Sequence, residues 1–413
     1  MKRLFCLLGL ASSVAVGSTQ EPTGDNLYER SRSAIMAGQY VEASAILEAE
    51  AFTKDSSPST VARQLWTQFT PFMTNELDPA VFGAETPPAD PVMLAALTRA
   101  RPVDAIEEIA RRAKTAKIVI LNEAHYSPRD RAFALEVARA LRPLGFSTLA
   151  AETLQNYPAP GFAKSGGEQF DADGVVRRTT GFYTADPVFA GFLRGARALG
   201  YRTVAYEQRR DQSTPDGDVP EREEAQARNI WAFLRKEPRA KLFIYVGHGH
   251  VSEASDGGDS AMMAERLKRL SGIDPLTIDQ VQLAGLRPSL RAVQRAASVR
   301  LGGHPGIFSV AGKPLILGMH HPDAVDLQVV HPLRTYRYGR PSWLAKMGGV
   351  PGKIPEDLRP TTGKRLVQAF DASEPADAVP LDQVLVEAGK SSPMLMLPKD
   401  RKIRFAIQDY KLN

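Results

Sequence analysis

Residues 117–125 read Lys-Ile-Val-Ile-Leu-Asn-Glu-Ala-His, and this stretch decides the fold of the chain. Ile118 to Leu121 is an unbroken apolar run rich in β-branched residues, the pattern of a strand buried on both faces of a parallel sheet. Ser127-Pro128-Arg129-Asp130 then predicts a helix start, with Ser at the N-cap, Pro at the first helical position and a carboxylate three residues after the cap. The stretch is therefore predicted to begin a β-α-β unit.

A second strand completes this unit and brings polar side chains to one edge of the sheet. Gly145 ends the predicted helix, and the apolar run Phe146 to Ala151 stops at Glu152. Glu123, His125 and Glu152 therefore follow the carboxyl ends of two neighbouring parallel strands. Open α/β sheets bind their ligands at that edge, so these three residues are candidates for a functional site.

Two further strand ends add candidates to the same edge. Leu242 to Val246 is a buried strand pattern, and it is followed by Gly247-His248-Gly249-His250. The two glycines allow a sharp turn and a close approach of other groups. Two of the chain's seven histidines on one strand-end loop favour a functional site over a structural role. Glu207 ends another predicted strand, Tyr201 to Tyr206.

The helix predicted from Pro220 to about Arg235 presents polar residues on one face. Arg222, Gln226 and Asn229 lie at spacings of four and three, so their side chains share that face. Two interpretations of Arg222 remain open. It points at the cleft from the first turn, or it belongs to an exposed charged helix start, where acidic neighbours already favour the helix dipole.

The order of these motifs resembles the opening signature of the erythromycin esterase / ChaN / Tiki (TraB) superfamily. In that superfamily a Gly-Glu-x-His-type motif and a later Glu line an active or metal-binding cleft, and this sequence has Asn122 where Gly is usual. The helix with Arg222, Glu223 and Asn229 is similar to an Arg-Asp/Glu…Asn helix of the superfamily. The resemblance covers roughly residues 117–283. The catalytic residues that it implies are His125, Glu123, Glu152, His250 and Arg222.

Two hydrolytic modes suit such a cluster. In the first, a neutral His oriented by a carboxylate deprotonates a water that attacks an ester or amide carbonyl, while Arg222 or the second His stabilises the developing charge. In the second, which the Tiki-like members suggest, a divalent ion such as Zn, Mn, Co or Fe activates the water. The candidate ligands of that ion are Glu123, His125, His250 and His248. The sequence has no Gly-x-Ser-x-Gly elbow and no P-loop, which disfavours serine hydrolases and nucleotide binding.

Binding without turnover is the competing function. ChaN-like relatives bind haem or iron-related cofactors, and the resemblance implies that Tyr126, Tyr157 or Tyr206 is then a candidate axial ligand. A third possibility is a silent relative in which the carboxylates and imidazoles only tie strand ends together. In each case the expected partner is a small molecule or a peptide. No basic run with interleaved aromatic residues predicts nucleic-acid binding.

Length and composition predict a globular protein of two to three domains, or one large core with appendages, because 43% of the 413 residues are apolar and 24% charged. Residues 1–17 are predicted to be a signal peptide, since Lys2 and Arg3 precede a short apolar run. The mature protein would then be secreted or periplasmic. It would lack Cys6, the single cysteine, and with it disulfides and thiol catalysis. No later run is long and apolar enough to span a membrane.

The remaining chain divides into three predicted regions. Residues 22–82 are expected to form a helical hairpin that is similar to half of a tetratricopeptide repeat, with Gly38 at the turn. Residues 92–290 are expected to form a three-layer α/β/α domain with a mainly parallel sheet. Residues 291–413 are expected to form an irregular C-terminal region that contains β-strands.

Overall fold

The computed structural model describes residues 27–52, 61–82, 86–214, 218–254, 260–284 and 287–410, so the predicted signal peptide lies outside the described residues. The helices are α1 (Leu27–Met36), α2 (Tyr40–Ala51), α3 (Val61–Phe69), α4 (Pro71–Thr74), α5 (Pro91–Arg99), α6 (Ala105–Ala113), α7 (Pro128–Leu141), α8 (Gly166–Asp173), α9 (Pro187–Ala198), α10 (Val219–Lys236), α11 (Met263–Ser271) and α12 (Pro288–Ser298). The strands are β1 (Arg101–Asp104), β2 (Ile118–Glu123), β3 (Thr148–Ala151), β4 (Arg202–Val204), β5 (Leu242–Gly247), β6 (Leu276–Asp279), β7 (Gly306–Val310), β8 (Lys313–Pro314), β9 (Leu327–Val330), β10 (Tyr336–Arg337), β11 (Arg340–Pro341), β12 (Val350–Gly352), β13 (Lys364–Asp371), β14 (Asp382–Glu387), β15 (Leu395–Leu397) and β16 (Ile403–Tyr410).

A large mixed sheet forms the centre of the described structure. Its strand order is β1-β7-β9-β6-β2-β5-β3-β4, with β8 paired to β7. The pairs from β9 through β6, β2, β5 and β3 to β4 are parallel, whereas β7 pairs antiparallel with β1 and β9. The predicted α/β class with a mainly parallel sheet is confirmed.

Both faces of the sheet are covered by helices, and β2 shows why its sequence is apolar throughout. Val119 and Leu121 pack in the core cluster that contains residues of α6, α7 and α9. Ile118 and Ile120 pack in the opposite cluster with residues of α10 and α11. Because side chains alternate along a strand, a strand between two helix layers needs apolar residues at every position. The three-layer arrangement follows.

The main sheet extends beyond the boundary that the sequence predicted at residue 290. Strands β7 and β9 follow that boundary, and both belong to the main sheet. Their apolar runs are short and lie among Gly and Pro residues, which is why the pattern alone assigned them to an irregular region. The predicted β-containing C-terminal region is present farther along the chain, where β14, β13 and β16 form a separate three-stranded antiparallel sheet.

The N-terminal helices lie against the α/β core. Gly38, between α1 and α2, has φ +81°, a left-handed conformation that glycine adopts without strain. The Tyr40 hydroxyl donates to the Ala185 carbonyl at 2.7 Å, and the Arg178 guanidinium donates to the Met36 carbonyl at 2.8 Å. The hairpin therefore packs against the segment that precedes α9. Within the described part of the chain, no helix has the length and apolarity needed to cross a membrane.

Candidate functional site

Strand register brings the predicted site residues to one level of the sheet. Glu123 of β2 pairs with Gly247 of β5, and the Glu152 amide, one residue past β3, donates to the Tyr245 carbonyl at 3.0 Å. A Cβ added to Gly247 would lie 2.5 Å from His125 Cε1 and 3.0 Å from Glu152 Oε2. Only glycine allows this approach. Glu123, His125 and Glu152, which come from two strand ends, therefore meet beside the end of β5.

The imidazole of His125 is held on one side and unpartnered on the other. Its Nδ1 lies 2.9 Å from Glu123 Oε1, and its ring stacks on Tyr183 with centroids 4.1 Å apart and planes 14° apart. Among the described residues, no group hydrogen-bonds to Nε2. If Nδ1 donates to the carboxylate, the lone pair of the neutral ring lies on Nε2, as a general base requires.

Arg131 of α7 fixes this pair from below. Its guanidinium is fully buried and donates to Glu123 Oε2 at 2.8 Å, to the His125 carbonyl at 2.8 Å and to Asp186 Oδ2 at 2.7 Å. Burial raises the pKa of Glu123, but the charges of Arg131 and the contact with His125 outweigh it and lower that pKa to about 2. The carboxylate therefore stays ionised while it orients the imidazole.

Arg222 points into the cleft, which decides between the two interpretations left open by the sequence. It donates to Glu152 Oε1 at 2.6 Å and, through Nε, to Glu207 Oε1 at 3.0 Å. Gln226 Nε2 donates to Glu207 at 3.1 Å, and Asn229 Nδ2 donates to the Glu207 carbonyl at 3.0 Å. The predicted polar face of the helix is confirmed, and its side chains hold Glu207 and Glu152 in place.

His250 lies between two carboxylates. Its Nδ1 is 2.6 Å from Glu223 Oε1, with the N–H bent away from the line between the atoms, and its Nε2 is 3.5 Å from Glu152 Oε1. Burial lowers the pKa of His250, but Glu223 and Glu152 outweigh it and raise that pKa to about 10. Arg222 Nη1 lies 3.3 Å from Nε2 and opposes this protonation. The two carboxylates beside His250 are the stronger influence, because the charge of Arg222 is itself paired with Glu152 and Glu207.

His248 differs from its neighbour two residues on. It has φ +30°, and its ring meets the His125 ring edge-on with centroids 5.0 Å apart. Burial and the adjacent His125 lower the pKa of His248 to about 3, so this ring is neutral. Its carbonyl accepts from Asn122 Nδ2 at 2.9 Å. Asn122 thus ties the end of β2 to the histidine loop.

The four predicted metal ligands, Glu123, His125, His250 and His248, do not form a ligand set. No group of three or more His, Cys, Asp or Glu residues in the described chain could hold a metal ion. Both oxygens of Glu123 are used by Arg131 and His125, and His250 lies between carboxylates rather than facing the other histidines. The residues present therefore do not fit a divalent ion.

The predicted haem ligands are likewise engaged elsewhere or exposed. The Tyr206 hydroxyl is fully buried and donates to the Tyr245 carbonyl at 3.3 Å. The Tyr126 ring packs against Phe82 and near His248. Tyr157 is 42% exposed, on a cleft wall. The three phenols do not share one pocket.

A cleft of about 480 Å³ opens above Glu152 and Arg222. Its walls come from α1, from the segments after β3 and β4, and from the loop before α9. The chain between β3 and α9 contributes Tyr157 and Phe182 to the cleft. The charged and aromatic residues of its walls and floor are Tyr28, Glu29, Arg32, Glu152, Tyr157, Phe182, Glu207, Arg209, Arg210, Asp218 and Arg222.

Sequence reasoning missed several members of the site. Arg131, Tyr183 and Asp186 were not predicted as site residues, and Glu223 was named only as part of the helix that is similar to one of the superfamily. The Asp186 carboxylate caps α9 by accepting from the Val188 and Phe189 amides, and the same carboxylate also binds Arg131. The Asp-Pro pair at residues 186–187 is a local pattern that indicates the cap, whereas no local pattern indicates the second partner.

Fold and site together define an α/β protein with a buried polar network at its strand ends. No protein-family model matches the sequence, and no curated protein matches it. Among solved structures, the chain is similar to RRSP, a MARTX toxin effector domain from Vibrio vulnificus CMCP6, with 16% identity, a TM-score of 0.31 and coverage of 59% of this chain and 54% of that one. It is also similar to the type III effector HopBA1, with 17% identity, a TM-score of 0.32 and coverage of 45% and 87%.

A third solved structure is the C-terminal region of Pasteurella multocida toxin, described as having a thiol-protease-like catalytic triad. The identity is 10%, the TM-score 0.32, and the match covers 92% of this chain and 56% of that one. The chain spans about half the length of the first and third of these structures.

Proposed function

We propose that this protein is a hydrolase in which His125 deprotonates a water that attacks an ester or amide carbonyl. The observation that carries the proposal is the state of His125: Nδ1 is held by an ionised Glu123, and Nε2 has no partner among the described residues. A base prepared in this way is what water activation needs. The resemblance to the erythromycin esterase / ChaN / Tiki superfamily implies the same role for His125.

The other half of the network supplies charge. Glu152 carries a negative charge, because His250 and Arg222 lower its pKa well below the ordinary value despite its burial. His250 is the matching acid, since its raised pKa keeps a proton on the ring at neutral pH. Two groups whose environments push their pKa values apart suit an acid and a base in one reaction. His250 and Arg222 would stabilise the oxyanion that forms when water adds to the carbonyl.

The proposal is tested with a panel of 4-nitrophenyl esters and chromogenic amides. His125→Ala is expected to lower turnover at least about 100-fold, the usual effect of removing a general base. The matched control is His304→Ala, which removes an exposed histidine three strands away from β2 in the sheet. A chelator is expected to leave wild-type turnover unchanged. Full activity in the His125 variant, or loss of activity with chelator, would overturn this mechanism.

The predicted signal peptide at residues 1–17 supports action outside the cytoplasm, in a secreted or periplasmic location. Mass spectrometry of the mature N-terminus after expression with the full leader tests this part. An intact N-terminus on the exported or retained protein would contradict it.

A further inference from the structure

The charges on the cleft floor are balanced among themselves. Arg222 binds Glu152 and Glu207, and His250 adds a second cation beside Glu152. Two other charged residues of the cleft walls are also occupied. Arg209 pairs with Asp211, and the Asp218 carboxylate caps α10 by accepting from the Glu221 amide. Each of these groups therefore has a partner before a substrate binds.

Two arginines at the cleft walls have no such partner. Arg32 projects from α1 and Arg210 from the segment after β4, so they belong to different walls. No described carboxylate lies within ion-pair distance of either guanidinium, and no described backbone or side-chain acceptor takes a hydrogen bond from them. Both guanidinium groups lie over aromatic rings: Arg32 over Phe182 at 5.9 Å and Arg210 over Tyr157 at 5.4 Å from the ring centroid.

These contacts place the cations without using up their hydrogen-bond donors. A guanidinium over a ring is stabilised by the ring's quadrupole, and its N–H groups stay available to an acceptor. Arginine binds carboxylates and phosphates through paired N–H groups. The Phe182 and Tyr157 rings add apolar surface next to each donor set, and a cleft of about 480 Å³ has the size of a small-molecule site.

One carboxylate of the cleft opposes this arrangement. Glu29 lies three residues before Arg32 on α1 and is exposed in the first turn of that helix. It is not within ion-pair distance of Arg32. Its negative charge lowers the attraction of the cleft for anions. Removing that charge with Glu29→Gln should therefore strengthen anion binding, whereas removing the arginines should weaken it.

We infer that the cleft binds substrates that carry an anionic group, a carboxylate or phosphate, next to an aromatic or apolar body, with Arg32 and Arg210 as the anion-binding residues. This inference rests on the proposed function in one respect: it names which esters or amides the hydrolase would take as substrates. The binding of the anion itself depends only on the cleft.

Calorimetric titration with 2-naphthoate and its neutral isostere 2-naphthamide tests the binding. The wild-type chain is expected to prefer naphthoate by about tenfold, since charge-assisted bonds at partly exposed sites contribute modestly. Arg32→Gln/Arg210→Gln is expected to remove the preference, and Glu29→Gln to increase it slightly. The control Arg235→Gln/Arg239→Gln removes the same charge from the last turn of α10 and the turn just after it. Arg235 lies about 20 Å from Arg222 along the helix, beyond the Debye length.

The outcome is decided by the ratio of the two dissociation constants. Equal affinity for the two ligands, no detectable naphthoate binding, or the same loss of preference in the Arg235/Arg239 control would overturn the inference. Circular dichroism of each variant confirms that it is folded.

Kinetics then separate this inference from the proposed function. With 4-nitrophenyl hemisuccinate against 4-nitrophenyl butyrate, the Arg32/Arg210 variant is expected to raise KM for the anionic ester about tenfold and to leave kcat and the neutral ester nearly unchanged. If the wild type hydrolyses neither ester, but the Arg32/Arg210 variant loses the preference for naphthoate, the hydrolase proposal fails and the anion site stands. If wild type and variants hydrolyse both esters with no charge preference, the hydrolase proposal stands and the anion site fails.

Discussion

Two histidine clusters lie at the rim of the sheet, the edge formed by the ends of β2, β3 and β5: one around His125 and one around His250. They are built from the same residue types and differ in the partners of the imidazole nitrogens. His125 has one nitrogen on a carboxylate and one without a partner, and the cation of that cluster, Arg131, is buried behind the carboxylate. His250 has a carboxylate near each nitrogen, and the cation of its cluster, Arg222, lies at the cleft floor. The first arrangement leaves a lone pair for chemistry, whereas the second holds a proton. Partner placement, rather than residue type, assigns base and acid.

Arg131→Met is the most severe way to break the His125 cluster. It would leave Glu123 and Asp186 buried without their cation, and removing one member of a buried ion pair costs about 3–5 kcal/mol. Urea unfolding should show this loss of stability together with lost turnover. Arg111→Met breaks an exposed pair with Glu108 and should change little. A small effect of Arg131→Met on the free energy of unfolding would show that the His125 cluster is not anchored through this residue.

Gly247→Ala changes the position at which His125 and Glu152 approach the end of β5. The new Cβ would lie 2.5 Å from His125 Cε1, and displacing a catalytic group by about 1 Å can cost about 100-fold in rate. Overpacking should also cost about 1–3 kcal/mol of unfolding free energy. Gly249→Ala, in the same loop, is the control, because its Cβ would meet only the flexible end of Met262 at 3.3 Å. Equal turnover of both variants with wild type would mean that His125 does not act at this position.

Much of this rim could be predicted from the sequence, since it depends on patterns within a few residues. The apolar runs before Glu123, Glu152 and Gly247 place these residues at parallel strand ends, and the spacing from Arg222 to Asn229 defines one helix face. The pattern did not predict β7 and β9 as members of the sheet.

The partners within the rim could not be predicted in the same way. Arg131 lies inside α7 and Asp186 at the start of α9, and their ion pair exists only after both helices pack on the sheet. Glu223 and Arg222 are neighbours in sequence, yet they contact opposite nitrogens of His250. The choice between metal ligand and ion-pair partner for His250 depends on these tertiary contacts, so residue types and spacing left it open.

The pH dependence of stability sharpens the comparison within the histidine loop. The folded-state pKa of His250 lies near 10, above the ordinary 6.5, so its contribution to stability is complete below about pH 6.5 and is lost as pH rises toward 10. His248 has a lowered pKa of about 3, so its contribution is present above pH 6.5 and is lost as pH falls. The stability difference between wild type and His250→Asn should therefore shrink on the alkaline side, and that for His248→Asn on the acid side.

Nuclear magnetic resonance titration of the ring protons checks both directions at individual histidines. An His250 ring that loses its proton below pH 6.5 would show that Arg222, rather than the two carboxylates, dominates its environment. In that case Arg222→Gln should raise the pKa of His250, and the acid role would pass from His250 to another group.

The smallest expected effect concerns Tyr183, the aromatic face against which His125 rests. Tyr183→Phe keeps the stacked ring and should leave turnover and unfolding nearly unchanged, whereas Tyr183→Leu removes a contact worth about 0.5–1.5 kcal/mol and loosens the imidazole. Because Glu123, itself held by Arg131, still binds Nδ1, the Leu variant should lose only a few-fold in kcat, with KM unchanged. If Phe costs as much as Leu, the phenol hydroxyl rather than the ring face serves the reaction. The His125 cluster then contains a proton donor, the Tyr183 hydroxyl, beside its base.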